Sequence, residues 1–101
     1  MREESVVTIG MNYFVLPGKE QVFEDACDRV VETMKGIDGH DESHLYRRVD
    51  DGKPVYLIVS RWQSEAAFDA FVASDAFKKV TNWGRENILA GPPRHTTYRE
   101  G

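Results

Sequence analysis

The side chains best equipped for chemistry in this 101-residue chain are Asn12, His44 and His95. An imidazole changes charge near neutral pH, so His44 or His95 suits a general base that removes a proton from a substrate. Either histidine equally suits an ordinary surface position. Asn12 carries an amide in the middle of an apolar run. Such an amide either bonds neighbouring backbone or reaches into a pocket, where it orients a carbonyl or hydroxyl. His40 falls in a glycine-containing loop. The three histidines lack HxxxH or HExxH spacing, so no metal site is expected. Cys27 stands alone and excludes a disulfide framework or CxxC site. It reads as a small buried hydrophobe. No nucleophile–base constellation, phosphate-cradling loop or dinucleotide fingerprint is present.

These groups need a scaffold. Val6 to Leu16 is rich in β-branched and aromatic residues and ends at Pro17-Gly18, which predicts a first strand. Lys19 to Lys35 places Val22, Phe23, Ala26, Cys27, Val30, Val31 and Met34 at the spacing of one buried helix face. Ile37 to Asp41 is expected as a loop, and Ser43 to Val49 as a second strand. Asp51-Gly52 signals a hairpin. Val55 to Trp62 is the third strand, with Pro54 at its start. Ser64 can cap a second helix, with Glu65 in its first turn and Ala67, Phe68, Phe71 and Val72 as its stripe. Ser74-Asp75 restarts a short helix with Phe77 and Val80, and Asn82 to Leu89 adds a turn or two. After Gly91-Pro92-Pro93, Arg94 to Tyr98 forms a last strand.

The order βαββαβ predicts an α+β, ferredoxin-like domain over residues 1–101, an antiparallel sheet with two helices on one face. Neither parity of the first strand carries a charge, so the second face also wants burial. A second copy can supply it, which predicts a homodimer with sheets face to face. The net charge of −4 and the lack of a basic cluster argue against nucleic acid or an anionic membrane. No apolar run approaches the roughly 18 residues of a membrane span. Met1 to Ser5 is polar and unlike a signal peptide, so a cytoplasmic setting is expected.

Asn12 followed by Pro17-Gly18, then Ser60-Arg61-Trp62-Gln63-Ser64-Glu65-Ala66-Ala67-Phe68 and Ser74-Asp75-Ala76-Phe77-Lys78, resembles the antibiotic biosynthesis monooxygenase family. The resemblance implies a dimeric α+β barrel. It also implies oxygenation of a small aromatic or quinol-like molecule by dioxygen with no cofactor. Asn12 would then orient the substrate and His44 or His95 would be the base. Phe14, Trp62 and Phe71 would line the pocket. The haem-degrading branch of the family is the alternative, with haem as its ligand. That branch shares the strand-one asparagine and adds a tryptophan and an axial histidine on its helices. Phe71 and Thr81 stand at those two places, and a threonine cannot ligate iron as an imidazole does. A non-catalytic dimeric module for a small ligand is the third reading.

Overall fold

The structure is a computed structural model that describes residues 6–48 and 52–99. Met1 to Ser5, Val49 at the end of the expected second strand and Asp51 of the expected hairpin turn lie outside the described residues. The elements are β1 (Val7–Phe14), α1 (Glu20–Met34), β2 (His40–Arg47), β3 (Val55–Trp62), α2 (Glu65–Val72), α3 (Asp75–Asn87) and β4 (Arg94–Arg99). The strands form one antiparallel sheet in the order β2-β3-β1-β4.

One parity of β1 faces the helices. Val7, Ile9 and Met11 are buried there and pack with Met34, Trp62, Phe68 and Phe71. Each side chain as fully buried as Ile9 contributes about 1.5–3 kcal/mol of apolar transfer. Phe23 and Cys27 of α1 meet Tyr56, Ile58 and Val15 in a second cluster beside the first. The helix starts follow the expected chemistry. The Ser64 hydroxyl accepts from the Ala67 amide at 3.1 Å, and the Ser74 hydroxyl from the Phe77 amide at 3.2 Å.

Three expectations change. First, α3 is one helix of 13 residues, not a short helix with added turns. Gly84 does not break it, because Leu89 folds back against the space a Cβ would take, 3.5 Å away. Second, β2 begins at His40, inside the expected loop. Gly39 turns the chain at φ +87°, its carbonyl accepts the Gln63 amide at 2.7 Å, and a bulge between His40 and Glu42 restores the register. Third, the expected closure into a dimeric α+β barrel is corrected. The helices lie on one face as expected, but β2 and β4 stand at opposite ends of the strand order and pair on one side only. The sheet is open. Among the described residues, no helix is long and apolar enough to cross a membrane.

Candidate functional site

The sheet sorts the candidate residues by parity. Asn12, Phe14 and His44 belong to the parity turned away from the helices. Asn12 sits opposite Leu57 and Arg94, Phe14 opposite Val55, and His44 opposite Val59. Asn12 is half-buried; Phe14 and His44 are exposed. The His44 ring pairs with Glu42 at 3.0 Å. Trp62, Phe71 and His95 lie on the helix side instead. Trp62 is fully buried, with its indole N–H donating to the Ser60 hydroxyl at 3.0 Å. Its ring packs against those of Phe71 at 5.4 Å and Phe68 at 5.8 Å. Phe68 in turn meets the His95 ring edge-on at 5.3 Å. The structure thus brings Trp62, Phe71 and His95 into one aromatic cluster and places Asn12, Phe14 and His44 on the other side of the sheet.

His40, assigned to a loop from the sequence, packs edge-on against Trp62 at 5.0 Å. Its Nε2 meets the Ser43 hydroxyl at 2.7 Å, while its buried Nδ1 has no protein partner.

A cavity of about 300 Å³ opens between α3 and the sheet. Met11, Val72, Phe77, Pro92 and Pro93 make its walls apolar, and Thr81, Arg85 and His95 supply the polar groups. Each element delivers its share by periodicity. Phe77, Thr81 and Arg85 are four residues apart, so they form one row along α3. Met11 and His95 are cross-strand partners on β1 and β4, so they share a face. Two further apolar concavities adjoin it: one between α1 and α3, the other over Tyr13 and Cys27. A shallow, more polar depression at the start of α2 includes Asp38, Asp41 and Gln63 but no histidine.

The groups beneath α3 and α1 are held in their neutral forms. Burial, then the charges of Asp28 and Glu24, push the Cys27 thiol up to about 12. Burial, then Cys27, likewise raises the Tyr13 phenol. The Tyr13 hydroxyl donates to the Met11 sulfur at 2.8 Å, a weak acceptor. Burial and the hydrogen bond to Glu24 at 2.5 Å push Tyr56 up to about 12, against the pull of Arg47.

Met11, Tyr13 and Arg85 were not singled out from the sequence. The Phe77–Thr81–Arg85 spacing could have found Arg85. Nothing in the apolar first strand distinguishes the Met11–Tyr13 face from the Asn12 face.

The donor set can be tested against haem. A buried neutral thiol is a poor iron ligand, because ligation needs the thiolate. Thr81 offers no imidazole from α3. The same cavity receives one from β4, however: His95 is exposed to it. Met11 adds a thioether, and Arg85 adds a guanidinium of the kind that pairs with carboxylates. An imidazole, a thioether and a guanidinium on apolar walls are groups of the kinds that hold haem iron and one of its carboxylates, in a lobe smaller than the whole macrocycle.

Comparison with known proteins gives the lineage. The model of the family described as "Antibiotic biosynthesis monooxygenase" matches residues 6–83. A protein of Natronomonas pharaonis described as a "Putative heme-binding protein" is 38% identical over 93 residues, covering 92% of this chain and 15% of its own length. A protein of Haloarcula marismortui with the same description is 39% identical over 88 residues, covering 87% of this chain and 13% of its own length. The chain therefore spans only about a seventh of these curated relatives. The crystal structure of a conserved protein from Methanosarcina mazei superposes with a TM-score of 0.85 at 21% identity, covering 96% of this chain and 94% of that one. SnoaB from Streptomyces nogalater, a cofactor-independent oxygenase, superposes with a TM-score of 0.81 at 20% identity, covering 96% and 94%. At such identities these two structures establish the fold alone. The expectation of no cofactor is overturned by the relatives described by haem binding. With more than half its length matched by one family model, the chain belongs to the antibiotic biosynthesis monooxygenase family.

Proposed function

We propose that this chain is an oxygenase-fold module that binds haem in the cavity beneath α3. The observation that carries the reading is the meeting of His95, Met11 and Arg85 on the walls of one apolar cavity. The haem-binding descriptions of the relatives support it. Haem, when bound, supplies an iron centre for dioxygen chemistry. His95 would hold that centre through its imidazole from β4, and Arg85 would pair with a carboxylate from α3. Phe77, Pro92 and Pro93 would shield the bound group from water.

The test is a haem titration of this chain alone, since the relatives carry most of their length outside the matched segment. A Soret band is expected with the wild type. His95→Ala should weaken binding about tenfold or more and shift the band, while His44→Ala, on the other side of the sheet, should leave it unchanged. Haem that stays in its free spectral form with the wild type overturns the reading.

The cavity size favours a second reading. About 300 Å³ is at the low end for a small-molecule site, the scale of a one- or two-ring phenol or quinol. His95 is then the base that takes the phenolic proton, and dioxygen is the co-substrate. Oxygen uptake on adding quinols distinguishes this reading from haem binding. In either case a second copy of the chain covers the open sheet face, where Asn12, Phe14 and His44 stand.

A further inference from the structure

We propose that Phe77 sets the size of ligand that the cleft beneath α3 takes, by acting as a movable septum between its lobes. The inference rests on the reading of that cleft as the ligand site. Three concavities adjoin there: the lobe of about 300 Å³ with His95, the lobe of about 230 Å³ between α1 and α3, and a narrow one of about 50 Å³ over Tyr13 and Cys27. Phe77 is the side chain that borders all three.

Its surroundings suit a partition that can move. The backbone is fixed, because the Phe77 amide donates to the Ser74 hydroxyl that caps α3. The ring is only half-buried at the edge of the core cluster, where it meets Phe71 edge-on at 4.9 Å. A side chain enclosed at interior density cannot change rotamer without displacing its neighbours. Phe77 has empty space on several sides, so another staggered rotamer is open to it. In its observed position the ring confines a ligand to the His95 lobe, which suits one or two rings. Swung aside, it joins that lobe to the groove between α1 and α3 and makes room for a macrocycle.

The test compares two probes on wild type, Phe77→Ala, Phe77→Leu and Phe77→Trp. Metal-free protoporphyrin IX is the large planar dicarboxylate, and 8-anilinonaphthalene-1-sulfonate is the small aromatic anion. Fluorescence titration gives both dissociation constants, and thermal melting checks that each variant is folded. The ratio of the two constants should move at least about tenfold toward protoporphyrin in Phe77→Ala, less far in Phe77→Leu, and the opposite way in Phe77→Trp. Loss of packing alone would shift both probes together and leave the ratio still. A wild type that binds either probe with a ratio unmoved across the variants overturns the septum and leaves the cleft reading standing. A wild type that binds neither probe overturns both.

Discussion

Cys27 is a thiol that its neighbours keep protonated. Burial and the carboxylates of Asp28 and Glu24 raise it from its usual 9 to about 12. An unfolded chain releases that proton near 9 and the folded one only near 12. The stability tied to the neutral thiol is therefore complete below about pH 9 and is lost as pH rises from there toward about 12. Urea unfolding at about pH 8 and about pH 10.5 should show a marked loss at the higher pH. Cys27→Ala should flatten that loss, leaving the smaller slope due to Tyr13 and Tyr56, which burial raises above their usual 10. An unchanged slope in Cys27→Ala would falsify the assignment. The buried character of Cys27 was legible, because α1 repeats its apolar residues at helical spacing. The placement of His95 was not. A strand without charge on either parity does not say which parity faces the helices, and β4 takes its facing from β1 through the Met11–His95 pairing.

At the scale of elements, the capping serines, the α2 stripe and the β3 bounds were readable from local chemistry alone. The start of β2 was not, because it depends on a contact between distant segments. Gly39 takes φ +87°, and a Cβ there would lie 2.6 Å from the Cβ of Ala67 on α2. Glycine is thus required twice, once by the backbone and once by the neighbour. Gly39→Ala should cost about 1–2 kcal/mol for the left-handed conformation and a further amount for the clash. Gly18→Ala is the control, with φ +88° and nothing within 4 Å of the added Cβ. It should lose only the backbone part. Denaturant midpoints of the two variants, with Ala67→Gly added to each, separate the terms. Ala67→Gly should recover part of the loss in Gly39→Ala and none in Gly18→Ala. Equal losses for the two glycine variants would show that the β2–α2 approach is looser than the distances imply. The continuity of α3 was hidden for a similar reason. Asn82 and Gly84 weaken a helix locally, and it is Leu89, beyond the helix end, that closes over Gly84.

For the whole molecule, the first strand carries no charge on either parity, which points to two faces needing cover. The helices cover one. On the other, Leu57 and Tyr98 lean over Gly10, 3.5 and 3.6 Å from where its Cβ would be, so even this glycine is buried. Phe14 and Tyr46 extend the apolar strip while remaining exposed. The charged pairs gather to one side of it, where Glu42 meets His44 at 3.0 Å and Arg61 at 3.9 Å. An apolar centre with a charged margin is the layout of a protein–protein contact. A second copy is the occupant we infer, since one self-complementary patch suffices for a two-fold pair. Sedimentation equilibrium at about 100 μM, a concentration at which a micromolar dimer is mostly associated, should then give a dimer mass. Tyr98→Glu should weaken association by about 2 kcal/mol or more, the scale of an aromatic hot spot. Arg85→Glu, on the helix side, should leave association unchanged. A wild-type monomer at that concentration would leave the open face without this partner. The cavity beneath α3 would be untouched by that result, because its walls come from one chain.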